Sequence, residues 1–175
     1  MRYIALLRGI NVAGQKKIPM AELRELLTKS GFKNVQTYIQ SGNVIFESNE
    51  ENTQQLEGEI HNSIKAHFGF EVPVLVKTPT QLQQIFKDCP FPETKKQNSY
   101  FSLLYTVPNQ ELVDEVSKIS YENEEIVITK NCIYFYSATG YGRTKYNNNF
   151  FERKLKVTAT ARNYKTMLKL LSLSQ

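Results

Sequence analysis

The sequence predicts an α+β protein built from two ferredoxin-like βαββαβ units packed together. Over the first 77 residues the apolar periodicities run strand, helix, strand, strand, helix, strand. The same order begins again near residue 99. The two opening strands, YIALL and FSLLY, are apolar at adjacent as well as alternate positions, which implies burial on both faces. Packing the two halves together is the simplest cover for such strands. The predicted division is a first unit over 1–77, a connecting helix and loop over 78–98, and a second unit with a C-terminal helix over 99–175.

Each element has a local reason. After YIALL, Pro19 sits where a first helical turn tolerates it, Met20, Leu23, Leu26 and Leu27 recur at helical spacing, and Gly31 closes the helix. The β-prone runs 35–39 and 44–48 flank Gln40-Ser41-Gly42-Asn43 and read as a hairpin. Thr53 is the expected N-cap of a helix striped by Leu56, Ile60, Ile64 and Phe68 and stopped by Gly69. A strand follows over 72–77, with Pro73 near an edge or at its start. A connecting helix over 79–87 and the loop Asp88-Cys89-Pro90-Phe91-Pro92 lead to the strand 100–106. Asn109 caps the next helix, 125–129 and 132–137 pair around Lys130-Asn131, and Tyr146, Phe150, Phe151 and Leu155 mark a further helix. The run 157–160 is read as a short strand and Asn163 as the start of the last helix.

Composition bounds the function classes. No hydrophobic run reaches about 18 residues, so no membrane span and no membrane partner are expected. The N-terminus runs from a short apolar stretch into Gly9 and Asn11 with no cleavage signature, and only Cys89 and Cys132 occur. A reducing, cytoplasmic location follows as the expectation. The net charge of +5 is unevenly spread: between Arg143 and Lys169 eight bases face the single acid Glu152, so this segment carries +7 and the rest −2. Such a local excess suits either an anion-binding face or a solvated basic helix.

In a ferredoxin-like unit the first and second strands are parallel. The loop after the first and the hairpin after the second therefore emerge at one end of the sheet. That brings Arg8, Gly9, Asn11, Gly14, Gln15, Lys16 and Lys17 towards Ser41, Gly42 and Asn43. Glycines permit close backbone approach, a guanidinium suits an oxyanion, and a following helix N-terminus favours anions. The alternative is that the glycines only shape a tight connection and Ser41-Gly42-Asn43 is ordinary hairpin chemistry. The spacing is neither a dinucleotide-binding nor a P-loop fingerprint.

LLRGINVAGQKKIPMAELR, TYIQSGNVIFES and TATARNYKTMLKLL resemble the three signature stretches of an uncharacterised bacterial family, domain of unknown function 1697. The resemblance implies a duplicated α+β fold of ferredoxin-like character and brings no established activity, substrate or cofactor. Its pattern highlights Arg8, Gly9, Asn11 and Gly14, then Ser41, Gly42 and Asn43, then Arg162, Asn163 and Thr166. This chain has Ala13-Gly14 where the family commonly has Gly-Gly, and Tyr164 where Trp is common. A Cβ at position 13 narrows the loop and disfavours positive φ there.

Arg162 and the N-cap Asn163 lie inside the +7 segment, where the start of a helix could bind an anion; the alternative is a capped helix whose Arg packs against aromatics. His61 and His67, six apart on a helix, point away from each other, and two cysteines are too few for a zinc site, so no metal is expected. Glu22 and Glu25 read as first-turn charges, and Tyr134, Phe135, Tyr136, Tyr38 and Phe46 as core rather than an RNA-stacking sheet. Two functions remain. The first is a binding module for a phosphate-bearing small molecule or nucleic acid, using Arg8, Gly9, Asn11, Gly14, Lys16, Ser41, Gly42, Asn43, Arg162 and Asn163. The second is a small enzyme with Arg8 holding an oxyanion and Asn11 and Asn43 orienting substrate near Ser41. Neither assigns a catalytic residue, a cofactor or an oligomeric state.

Overall fold

A computed structural model describes all 175 residues. The chain divides into two compact units, one formed by Met1–Gln84 with Lys169–Gln175 and the other by Ile85–Leu168. The sequence predicts that all of 99–175 belongs to the second unit, but the C-terminal segment groups with the first. There the Arg2 guanidinium donates to the main-chain carbonyl of Gln175.

The first unit holds β1 (Arg2–Leu7), α1 (Met20–Lys29), β2 (Lys33–Tyr38), β3 (Asn43–Glu47), α2 (Thr53–Phe68) and β4 (Val74–Lys77). Its sheet runs β2-β3-β1-β4 with every neighbouring pair antiparallel. This is the ferredoxin-like order, with β1 central. Leu23 and Leu27 of α1 and Leu56, Ile60 and Ile64 of α2 form one core with Tyr3, Ala5 and Leu7 of β1. Each such fully buried aliphatic side chain contributes about 1.5–3 kcal/mol. On the opposite face of the sheet Ile4, Leu6 and Ile45 are buried as well. The two-faced burial expected from YIALL is therefore present.

The chain continues through α3 (Pro79–Lys87) and the short α4 (Glu93–Lys96) to β5 (Ser99–Leu104), α5 (Gln110–Ser117), β6 (Glu124–Ile128), β7 (Cys132–Ser137), α6 (Asn148–Leu155), β8 (Ala159–Asn163) and α7 (Tyr164–Leu173). The second sheet, β6-β7-β5-β8, repeats the first strand for strand. One polar device also recurs. Glu57 of α2 accepts a bond from the Val76 main-chain N–H at 2.9 Å, and Glu152 of α6 accepts one from Ala159 at 3.1 Å. In both units a helix carboxylate thus satisfies a main-chain donor of the strand bordering the central one, a group that costs free energy if left unpaired.

Local boundaries shift for identifiable reasons. The N-cap of α2 is Asn52 rather than Thr53, because its side-chain oxygen accepts from Gln54 at 3.0 Å and Gln55 at 3.3 Å. Gly69 ends that helix at φ 81 as the sequence predicts. The run predicted as a strand over 157–160 begins later, so Asn163 serves both as the last residue of β8 and as cap of α7, accepting from Thr166 at 2.9 Å. The four-residue α4 has no signal beyond the preceding Pro92. No helix is long and apolar enough to cross a membrane.

Burial raises the Glu57 carboxyl above its ordinary value, outweighing the bond from Val76. A carboxyl raised in the folded state favours folding while protonated, and that advantage is lost as pH climbs from the unfolded towards the folded pKa. Glu57→Gln keeps the acceptor for Val76 and removes the charge. It is expected to match the parent near pH 4 and to exceed its denaturation midpoint at pH 7, in chemical melts at both values.

Candidate functional site

The end of β1 leads into a loop whose path is set by main-chain geometry. Ile10 and Ile18 are both 1% exposed and anchor the loop in the core at either side. Between them Asn11 N–H donates to the Lys16 carbonyl at 3.1 Å, and Gln15 N–H to that of Val12 at 2.9 Å. The two central residues of this inner turn, Ala13 (φ 49) and Gly14 (φ 74), are both left-handed, as a type I′ turn requires. Position 13, which its Cβ disfavours for positive φ, is held there by the hydrogen bond that closes the turn.

Asn11 itself is left-handed (φ 55), a conformation asparagine tolerates better than most residues. Its carboxamide clamps three segments together. The Nδ2 group donates to Ile18 at 3.0 Å and Gln40 at 2.8 Å, while Oδ1 accepts from Ile18 N–H at 2.8 Å. The Gln40 bond shows that loop and hairpin share one end of the sheet, as the topology predicts. Leu7 N–H donates to the Gly42 carbonyl at 2.8 Å and Arg8 N–H to that of Pro73 at 3.0 Å.

Gly42 has φ +89, and a Cβ there would lie 2.6 Å from the Leu7 Cβ and 2.9 Å from Ile10 Cδ1. Only glycine permits this approach. Asn43 is fully buried, its Nδ2 donating to the Tyr38 carbonyl at 3.0 Å and to Ser41 Oγ at 3.1 Å. Both Nδ2 hydrogens of Asn11 and both of Asn43 are thus committed within the fold. Arg8 and Gly9 are half-buried, whereas Gly14, Lys16 and Ser41 are exposed. Lys16 Nζ donates to the Glu71 carbonyl at 2.7 Å.

The late stretch is arranged differently. Arg162 is 6% exposed and donates to Thr160 Oγ1 at 2.7 Å and to the Ala161 carbonyl at 2.9 Å. Burial pulls its pKa from the ordinary guanidinium range down to about 10, so it stays cationic at neutral pH while sitting inside the second unit. Its neighbour Asn163 is exposed, and so are the remaining seven bases of the +7 segment: Arg143, Lys145, Arg153, Lys154, Lys156, Lys165 and Lys169. The segment's one acid, Glu152, spends its carboxylate on Ala159 N–H and the Asn148 amide.

Asn163 opens onto a cleft of about 580 Å³ within the second unit. The cleft lies where β5 begins and β7 and β8 end. Tyr100, Tyr136 and Tyr164 supply rings, Ser137 and Thr139 hydroxyls, Gln97, Asn98 and Asn163 amides, and Lys165 a cation. Gly140, at φ 87, turns the chain along its rim. Beyond the rim, the Glu124 carboxylate accepts from the main-chain N–H groups of Lys145 at 2.8 Å and Tyr146 at 3.0 Å, and from the Thr144 hydroxyl. Tyr164 OH donates to Glu93 at 2.9 Å, and Lys95 lies 5.5 Å from the Tyr136 ring centre. Apart from Asn163, none of these lining residues is among the ligand-binding candidates read from the sequence. They come from three separated stretches, of which the sequence singles out only the last, where Asn163, Tyr164 and Lys165 lie in TATARNYKTMLKLL and in the +7 segment.

Other reactive groups are occupied or inert. His67 pairs with Glu22 at 2.7 Å, and His61 bonds the Val72 carbonyl at 2.9 Å. Burial pushes both the Cys89 and Cys132 thiols up, so neither is a ready thiolate at neutral pH. Phe46, Tyr134 and Phe135 are core residues, and Tyr134 OH donates to the Ile85 carbonyl at 2.7 Å. No three His, Cys, Asp or Glu side chains converge as a metal site would need.

A family model described as a protein of unknown function, DUF1697, matches residues 1–134. The match takes in the opening loop and the hairpin and stops before TATARNYKTMLKLL. The structure of a conserved bacterial protein from Streptococcus pneumoniae is similar over 99% of this chain and 98% of its own, with 27% identity and a TM-score of 0.76. No curated protein matches.

Two stability outcomes follow from the loop. Asn11→Asp cannot donate to the Ile18 and Gln40 carbonyls and is expected to lower unfolding free energy by about 2–3 kcal/mol in urea titration. Ala13→Gly relaxes the left-handed position and is expected to raise it by about 0.5–1 kcal/mol in the same assay.

Proposed function

The chain belongs to the DUF1697 family of proteins of unknown function, and from that premise we propose that it is a binding module for a phosphate-bearing small molecule seated in the cleft of the second unit. The observation that carries this reading is the convergence, in about 580 Å³, of tyrosine rings, amides and hydroxyls with Lys165 at the first turn of α7. That volume is in the range of small-molecule sites. Lys165 attracts a phosphate as a point charge in the first turn of a ten-residue helix, where the Asn163 side chain accepts from Thr166 N–H. Tyrosine rings and amides suit the organic part of such a ligand, as they would the base of a nucleotide.

Within this reading the first unit's glycine loops shape the fold rather than grip the ligand. Asn11 and Asn43 have no remaining amide donor to turn towards a substrate. The exposure of seven bases in the +7 segment favours a second reading, in which the phosphates belong to a nucleic acid that tracks this basic surface.

Isothermal titration with pyrophosphate and with adenine and guanine nucleotides separates the two. The small-molecule reading expects saturable binding that Lys165→Ala weakens about tenfold or more and that Arg153→Ala with Lys154→Ala leaves nearly unchanged. The nucleic-acid reading expects binding to short RNA or DNA with a steep salt dependence that the Arg153/Lys154 double variant flattens. Absence of binding to all of these at low salt would sink both.

A further inference from the structure

Two exposed aliphatic side chains stand at the loop end of the first unit. Val12 is 61% exposed and Ile39 48%. Ile39 also has φ 49, a left-handed conformation that is unusual for a β-branched residue and that glycine or asparagine would adopt with less strain. Strain is thus tolerated at a position where the side chain is turned to solvent and contributes little to the core. The bond from Asn11 Nδ2 to the Gln40 carbonyl ties the Val12 turn to the Ile39 turn at this end of the sheet.

Part of the polar backbone of this tip is satisfied internally. Asn11 N–H, Gln15 N–H and Ile18 N–H are all bonded within the loop, and the Val12, Lys16, Ile18 and Gln40 carbonyls each accept a bond. Groups paired in this way can leave water at low cost, whereas unpaired ones cannot. Lys17 is exposed and makes no hydrogen bond or ion pair, and Lys16 flanks it. Neither 8–21 nor 32–46 contains an acid, while Arg8, Lys16, Lys17 and Lys33 lie in these stretches. Glu71, the acid near Lys16, is itself paired with Lys65 at 3.2 Å.

We propose that this tip is a peripheral membrane-contact surface, with Val12 and Ile39 entering the headgroup layer of an anionic bilayer and the flanking lysines meeting lipid phosphates. Aliphatic groups next to Lys16 and Lys17, on turns tied together by the Asn11 bond, match that interface in both polarity and charge. Tyr38, beside Ile39, is half-buried, and the tip presents no fully exposed ring on which single-stranded nucleic acid would stack. Peripheral contact requires no spanning helix, and it departs from the expectation of no membrane partner drawn from hydropathy alone.

Cosedimentation of the full chain with vesicles of phosphatidylglycerol and phosphatidylethanolamine, against vesicles of phosphatidylcholine, tests the proposal. Binding is expected to the anionic vesicles only and to weaken with salt. Lys17→Ala should lower partitioning about fivefold. Val12→Ser combined with Ile39→Gly should lower it about tenfold or more. Glycine suits the backbone at position 39, so this variant is expected to keep the parent's thermal midpoint or exceed it; should it unfold, Val12→Ser alone is read in the same assay and must still weaken binding. No cosedimentation of the parent, equal binding by the aliphatic variants, or preference of the parent for soluble polyglutamate over vesicles would each overturn the proposal, the last assigning the tip to an acidic protein.

Discussion

β1 and β5 are the central strands of their sheets, bonded to a neighbour on each side and buried on both faces. This double burial constrains nearly everything else. A strand so enclosed must be apolar along its length, and in the first unit Tyr3, Ile4, Ala5, Leu6 and Leu7 are. Polar chemistry is displaced to the strand ends, where the chain enters and leaves the sheet. The signature loop sits at one such end in the first unit, and the cleft sits at the other end in the second.

The constraint also explains why polar residues near the sheets act as fasteners. Glu57 and Glu152 cap main-chain donors of β4 and β8 from the helices packed over them. Ser102, the one polar residue at the middle of β5, is fully buried and donates to Asn148 at 2.6 Å, which in turn bonds the Ala159 carbonyl at 2.7 Å. Asn11 closes the first loop by the same logic, spending a side chain on groups that would otherwise be stranded without partners. A residue pattern that resembles a ligand cradle from sequence is, at Asn11, Gly42 and Asn43, a solution to main-chain accounting. In the second unit Lys165 and three tyrosines line a cleft rather than close a turn.

Much of the fold was legible from residue order. Strand alternation, helical stripes such as Leu56-Ile60-Ile64, the Gly69 stop and the Asn109 cap are local signals, and local physics produces them. The duplication was legible for the same reason, since βαββαβ is itself a pattern of local elements. The meeting of loop and hairpin was legible one step further on, because strand direction in this topology dictates it. The N-cap of α2 moved by one residue because Asn52 and Thr53 both satisfy the capping preference and only geometry chooses between them.

Sequence by itself determined the strands and helices apart from α4 and the bounds of β8, that the opening strands are buried on both faces, and that glycine and asparagine govern the turns after β1 and β2. Tertiary structure alone decided that Ala13 would be held left-handed, that the Asn11 and Asn43 amides would be consumed internally, that Arg162 would be buried while its seven basic neighbours remained exposed, and that a cleft would open beside Asn163. The division has one physical cause. Periodicity and capping depend on residues a few positions apart, whereas burial and concavity depend on which distant segments the sheet brings side by side.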